Sequence, residues 1–85
     1  MYKIIIFGTG LYGKQALQFF TRENVMFWTD NKEDLHGKLI EGIEVIPPSE
    51  LKKYLNECVI VIAAKPEFFN QIKYQLNLSL IHISE

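Results

Sequence analysis

The chain has 85 residues, 48% of them hydrophobic, so it is long enough for one small domain with a modest core. Nine basic and ten acidic residues give a net charge of −1 and form no basic stripe, which argues against a nucleic-acid partner. A single cysteine excludes an internal disulfide framework, and the longest apolar run, residues 59–64, is too short to insert into a membrane, so we expect a cytoplasmic protein.

The N-terminal part of the chain predicts a strand, a helix and a second strand. Residues 2–7 are apolar apart from one lysine and rich in Ile, which is typical of a strand buried on both faces of a sheet. Residues 11–22 carry apolar side chains at helical spacing and predict an amphipathic helix, which is broken at Asn24. Val25–Thr29 predicts a second buried strand that ends at Asp30.

A hairpin and a short helix are predicted in the middle of the chain. Two apolar runs, residues 38–40 and 43–46, flank a Glu-Gly pair, which indicates a small hairpin or a bent edge strand. Two prolines end this unit. Ser49 is then placed to cap a short helix that runs to residue 54 or 55.

The remaining residues predict a strand at 58–63, a helix with Pro66 in its first turn, and a last strand at 80–83. Apolar strands that alternate with helices predict an α/β fold, a Rossmann-like three-layer sandwich with a parallel sheet of about five strands in the order 3-2-1-4-5. A covering helix is expected after the last strand. We therefore interpret residues 1–85 as a single domain, the N-terminal part of a longer protein, and the uncovered sheet face favours a homodimer.

The glycines of the stretch FGTGLYG match the phosphate-binding pattern G-x-G-x-x-G, and they lie between a predicted strand and a predicted helix, as the mechanism requires. In that mechanism Gly8 makes a tight turn, Gly10 lets the backbone approach a diphosphate, and Gly13 lets the helix pack on the strand. The N-terminus of the helix attracts the phosphate. Asp30 would accept hydrogen bonds from ribose hydroxyls, and its charge favours NAD over NADP.

The same residues also have a purely structural explanation. The glycines can serve only the turn and the packing of the helix, with Asp30 starting an Asx turn. On the nucleotide interpretation, the ligand would also reach the carboxyl end of the fourth strand, where open α/β sheets bind ligands. Ala63 and Ala64 leave room there, and Lys65 can reach a phosphate.

No catalytic constellation is recognisable in the sequence. The chain has no spaced pair of carboxylates, no Cys or His cluster for a metal, and no G-x-S-x-G elbow. We therefore predict no metal site and no catalysis by the domain on its own.

Four segments together resemble a recurring domain. They are IIIFGTGLYGKQAL at residues 4–17, WTDNK at 28–32, GKLIEGIEVIPPSEL at 37–51 and VIVIAA at 59–64. Their combination is similar to the Rossmann-like domain at the N-terminus of sugar O-acyltransferases of the sialic-acid O-acetyltransferase type, and of related nucleotide-sugar epimerases, dehydratases and polysaccharide-biosynthesis proteins. The hexapeptide repeats of the acyltransferases and the catalytic residues of the epimerases have no counterpart in this chain.

The resemblance implies a binding role for the domain. It implies that the glycine loop meets the phosphate and that Asp30 with Asn31 meets the ribose or base of NAD or a UDP-sugar. Together with the strand ends considered above, the candidate ligand-binding residues are Gly8, Thr9, Gly10, Leu11, Tyr12, Gly13, Asp30, Asn31, Ala63, Ala64 and Lys65.

The resemblance leads to one interpretation with two alternatives. The first is a nucleotide- or nucleotide-sugar-binding domain of a bacterial enzyme of capsule or lipopolysaccharide biosynthesis, whose catalytic domain lies outside this chain. One alternative is a NAD-dependent nucleotide-sugar dehydratase, epimerase or oxidoreductase domain. The other is a non-catalytic sensor or assembly domain that has kept the fold and lost the ligand.

Overall fold

The computed structural model describes residues 2–80. Their strands and α-helices are β1 (Lys3–Phe7), α1 (Leu11–Phe20), β2 (Val25–Thr29), β3 (Leu39–Ile40), β4 (Ile43–Ile46), β5 (Cys58–Ile62) and α2 (Pro66–Leu80). Short 3₁₀ segments connect them at Arg22–Asn24, Glu33–Leu35 and Pro48–Tyr54. Neither of the two α-helices is long and apolar enough to cross a membrane.

The five strands form one mixed, mostly parallel sheet in the order β3-β4-β2-β1-β5. β1 lies between β2 and β5 and pairs in parallel with both, and β2 also pairs in parallel with β4. β3 pairs antiparallel with β4, so the predicted hairpin is confirmed. This order differs from the predicted order 3-2-1-4-5. The predicted edge strand is a hairpin, so it contributes two strands to the sheet, and the outer of these two strands is antiparallel.

Several predicted boundaries are wrong. Leu80, predicted to open a last strand, is the final residue of α2, and the rest of that strand, residues 81–83, lies outside the described residues. Ser49 does not cap the short helix, because the 3₁₀ segment already begins at Pro48, with Pro47 in the cap position. A proline ring fixes φ near the helical value, which suits Pro48 to the first position of a segment that starts two residues earlier than a cap at Ser49 would give.

α1 ends two residues before the predicted boundary. Thr21, just after the helix, has a positive φ of 69°. The side-chain amide of Asn24 donates a hydrogen bond to the carbonyl of Phe20 at 2.8 Å. This bond gives a partner to one of the carbonyl groups that the last turn of a helix leaves free.

The sheet carries an apolar core on each face. The core on the α1 side consists of Ile6, Val25, Trp28, Ile43 and Val45, with Ala16, Leu17 and Phe20 of α1 packed against it. The core on the α2 side consists of Ile5, Phe7, Ile46, Leu51 and Cys58, with Ile72 and Leu76 of α2 packed against it. The described residues therefore form helix, sheet and helix layers.

An irregular register in β2 turns its single tryptophan towards α1. The pairing of β1 with β2 skips Met26, which is therefore an extra residue in the strand. Val25 and Trp28, three positions apart, consequently pack in the same core on the α1 side. The indole N–H of Trp28 donates to the carbonyl of Ile40 at 2.9 Å, which ties the hairpin to this core.

Cys58 is buried at the start of β5. Burial raises the pKa of its thiol, and the negative charge of Glu57 adds to this effect while Lys3 opposes it. A thiol is nucleophilic only as the thiolate, so Cys58 is an inert packing residue at neutral pH.

Candidate functional site

The stretch after β1 forms a tight turn that requires glycine at position 8. Gly8 has a φ of +121°, a conformation that residues with a side chain rarely adopt. Its N–H donates to the carbonyl of Thr29 at 2.8 Å, which joins the end of β1 to that of β2. A Cβ on Gly8 would collide with the carbonyl oxygen of Ala63, just beyond β5. The turn therefore brings the carboxyl ends of three neighbouring strands together.

Gly13 lets α1 lie directly on this turn. A Cβ on Gly13 would collide with the carbonyl group of Gly8 and would lie 3.2 Å from the indole ring of Trp28. Gly13 is also buried. Its lack of a side chain thus serves the close packing of the helix, as the sequence predicted.

Gly10 differs from the other two glycines because no neighbouring atom requires it to be glycine. Its φ is −83°, and a Cβ there would meet no atom within 4 Å. Gly10 occupies the N-cap position of α1, where no side chain accepts a hydrogen bond from the helix, and the first turn contains no acidic residue. The first N–H groups of α1 and the positive end of its dipole therefore border an open space, an arrangement that suits an anion.

Asp30 follows β2 and is hydrogen-bonded to the glycine loop. Its Oδ2 accepts bonds from the N–H of Thr9 at 3.1 Å and from the Thr9 hydroxyl at 2.9 Å. Its Oδ1 accepts a bond from the N–H of Lys32 at 3.1 Å. A carboxylate has about four acceptor positions, so a ribose would have to share Asp30 with three donors of the chain itself.

We expect Asp30→Ala to lower the free energy of unfolding by about 1–2 kcal/mol, because two backbone N–H groups and the Thr9 hydroxyl lose a charged acceptor. In a domain of this size, that loss lowers the melting temperature by on the order of 5–15 °C, which a thermal unfolding experiment measures. Thr9→Val, which removes only the hydroxyl bond, should have a smaller effect. An Asp30→Ala protein as stable as the parent would show that these hydrogen bonds to Asp30 do not stabilise the fold.

Two neighbouring clefts open at the carboxyl ends of the strands. The first, here called the Asp30 cleft, has a volume of about 460 Å³ and is lined by Phe7, Gly8, Thr9, Gly10, Asp30, Asn31, Lys32, Ala64, Phe68, Gln71 and Ile72. The second, here called the Tyr12 cleft, has a volume of about 440 Å³ and is lined by Gly10, Leu11, Tyr12, Lys32, Ala63, Ala64, Lys65 and Phe68. Gly10, Lys32, Ala64 and Phe68 line both clefts.

A third, outer cleft of about 520 Å³ meets the Asp30 cleft at Asn31 and is lined by Asn31, Glu33, His36, Pro47, Pro48, Ser49 and Gln75. The side-chain amides of Asn31 and Gln75 exchange two hydrogen bonds, at 3.0 and 2.8 Å, and so connect the loop after β2 to α2. The His36 ring donates through Nε2 to the carbonyl of Asp30 at 2.7 Å. Side chains therefore hold the loop after β2 in place.

The two inner clefts collect every predicted ligand-binding residue except Gly13. Gly13 lies within α1, on the buried side of the helix that packs against Gly8 of the loop. Lys32 and Phe68 line both inner clefts and were not predicted. Lys32 directly follows Asp30 and Asn31 in the chain, whereas helical spacing alone does not distinguish Phe68 from Phe69. The role of these residues in ligand binding stays a prediction.

Comparisons with known proteins found a solved structure of similar fold and a matching family model. The crystal structure of UDP-D-quinovosamine 4-dehydrogenase from Vibrio fischeri is similar to this chain, with a TM-score of 0.64 and 18% sequence identity. The match covers 88% of this chain and 71% of that chain, and at this identity it shows a shared Rossmann-like fold alone. No curated protein sequence matches the chain. A family model described as C2185-like, N-terminal, matches residues 1–85.

Proposed function

The chain belongs to the C2185-like, N-terminal family, and we propose that it binds a nucleotide or a nucleotide-sugar through the glycine loop and the two inner clefts. The observation that carries this proposal is the environment of Gly10. Gly8 and Gly13 have packing reasons to be glycine, whereas a Cβ on Gly10 would extend into open space. A ligand phosphate that must approach the backbone closely explains a glycine at this position.

The charges around Gly10 also favour an anionic ligand. No capping side chain accepts a hydrogen bond from the first N–H groups of α1. Lys32 and Lys65 both line the Tyr12 cleft beside the start of this helix. Asp30 is the acidic residue of the two inner clefts, and its carboxylate is occupied by three hydrogen-bond donors. A phosphate therefore meets more positive than negative charge.

We further propose that the domain serves an enzyme of bacterial surface-polysaccharide biosynthesis and that another domain carries out the catalysis. The resemblance of residues 4–17, 28–32, 37–51 and 59–64 to nucleotide-sugar enzymes supports this role. The name of the Vibrio fischeri protein, a dehydrogenase of a UDP-sugar, agrees with it.

A NAD-binding domain of an oxidoreductase or dehydratase is the second candidate function. It is favoured by Asp30, an acidic residue at the end of β2, where dinucleotide-binding folds hold a ribose. It is disfavoured by the hydrogen bonds of Asp30 to Thr9, which leave little of the carboxylate for a ribose diol.

The proposal predicts that a nucleotide raises the melting temperature of the domain. We expect UDP-sugars to do so in a thermal-shift panel that also contains UDP, NAD, NADP and CoA, with uridine as the control that lacks phosphate. A ligand at about 100 times its Kd adds about 2.7 kcal/mol, which raises the melting temperature of a domain this small by on the order of 10 °C or more.

The set of compounds that raise the melting temperature distinguishes the candidate functions. A shift with UDP-sugars and not with NAD supports the nucleotide-sugar domain, and a shift with NAD alone favours the oxidoreductase domain. If no compound changes the melting temperature, the proposal is contradicted and an assembly domain without a ligand becomes the better explanation.

A further inference from the structure

The two inner clefts share four lining residues, Gly10, Lys32, Ala64 and Phe68, here together called the neck. Each cleft has a volume within the range of small-molecule binding sites, about 300–1,000 Å³. A ligand that fills both clefts would contact these shared residues, among which Gly10 presents its backbone without a side chain. The shape therefore fits a ligand of two parts joined by a short linker.

Positive charge lies in the neck, at Lys32, and beside it, at Lys65. Lys32 lines both clefts, Lys65 lines the Tyr12 cleft, and neither forms an ion pair within residues 2–80. The backbone N–H of Lys32 is fixed on Oδ1 of Asp30 at 3.1 Å, which sets the start of its side chain at the edge of the glycine loop. A short linker at this place would lie within the lining that Lys32 shares with Gly10, the N-cap residue of α1.

The linings of the three clefts limit where Lys32 can act. The outer cleft is lined by Glu33 and His36 and not by Lys32. Lys32 lines the inner clefts instead, together with Gly10. Its charge is thus available to a phosphate that links two moieties.

We propose that Lys32 binds the diphosphate of a two-part ligand, with the diphosphate in the neck, a nucleoside in the Asp30 cleft and a second moiety in the Tyr12 cleft. This inference rests on the proposed function and narrows it to compounds in which a diphosphate joins two parts. Tyr12 and Phe68, which are 42% and 48% exposed, offer ring surfaces on which the second moiety can pack.

The test is a titration calorimetry series with UMP, UDP and UDP-glucose on the parent, Lys32→Gln and Lys52→Gln. Lys52 is the matched control because it is an exposed lysine of the Pro48–Tyr54 segment that lines none of the three clefts. We expect Lys32→Gln to weaken UDP and UDP-glucose about tenfold, the effect of one charge-assisted hydrogen bond, and to weaken UMP less than about twofold. Lys52→Gln should bind all three as the parent does.

The salt dependence of binding gives a second readout. It would not differ between parent and Lys32→Gln if the role of Lys32 were only structural. The difference between parent and Lys32→Gln should shrink between about 0.05 M and about 0.5 M NaCl, because the screening length falls from about 14 Å to about 4 Å. If the parent binds NAD rather than UDP compounds, AMP, ADP and NAD form the corresponding series.

The outcomes distinguish this inference from the proposed function. If the parent binds UDP-glucose and Lys32→Gln binds it equally well, the inference is overturned and the proposed function stands. If Lys32→Gln loses equal affinity for UMP and for UDP, the inference is also overturned, because Lys32 would then not act at the diphosphate that links the two moieties. If the parent binds neither series, both are overturned.

Discussion

Replacing Gly13 with alanine should lower the free energy of unfolding by about 2–3 kcal/mol. Alanine would gain about 0.5–1 kcal/mol from its higher helix propensity. The new Cβ would, however, collide with the carbonyl group of Gly8 and press on the ring of Trp28, and overpacking against rigid neighbours outweighs that gain. Urea unfolding, followed by the fluorescence of the single tryptophan, measures the difference.

The effect of Gly13→Ala is large for this chain. A domain of 85 residues has a total stability of roughly 4–13 kcal/mol, so the substitution removes a substantial part of it. Gly10→Ala is the matched control: the same methyl group, added three residues earlier, meets no atom within 4 Å and should cost less than about 1 kcal/mol. Equal stabilities of the two variants would contradict the packing role assigned to Gly13.

The local pattern of the sequence predicted most of the secondary structure. Buried parallel strands are apolar along their whole length, which made β1, β2 and β5 recognisable, and the glycines placed the start of α1 correctly at Leu11. The hairpin was also predictable, because two apolar runs separated by Glu-Gly allow little else. These features depend on residues that are close in the chain.

The arrangement of the sheet was harder to predict because it depends on contacts between distant residues. Whether the hairpin adds one strand or two is decided by the pairing of β4 with β2 and not by the hairpin sequence. The skipped residue Met26, which turns Trp28 towards α1, leaves no trace in the sequence because Val25 to Trp28 are all apolar and show no alternation. Such registers are specified by tertiary packing.

The candidate site was predictable in its location and less so in its internal contacts. A glycine loop and the ends of parallel strands must meet at one edge of the sheet, and the structure brings them together there. The hydrogen bonds between Asp30 and Thr9 could not be predicted, since they depend on how the two loops approach each other. The neck formed with Lys32 and Phe68 likewise requires the position of α2.

Replacing Gly10 with valine should abolish nucleotide binding and leave the fold intact. Gly10 lines both inner clefts, and a Cβ there extends into open space, so a branched side chain would fill the place where a phosphate approaches the backbone. The substitution should cost no more than about 1 kcal/mol of stability, the usual scale of an unfavourable N-cap residue. Titration with UDP-glucose and NAD measures binding, and urea unfolding measures stability.

The pair of measurements separates a blocked site from a damaged fold. If Gly10→Val binds neither ligand but unfolds within about 1 kcal/mol of the parent, the lost binding arises from the side chain itself. Gly13→Ala provides the opposite case, since it lies outside both clefts and should lose stability first. A Gly10→Val protein that binds as tightly as the parent would show that the phosphate does not lie at the glycine loop, and the loop would then be a turn and a packing element only.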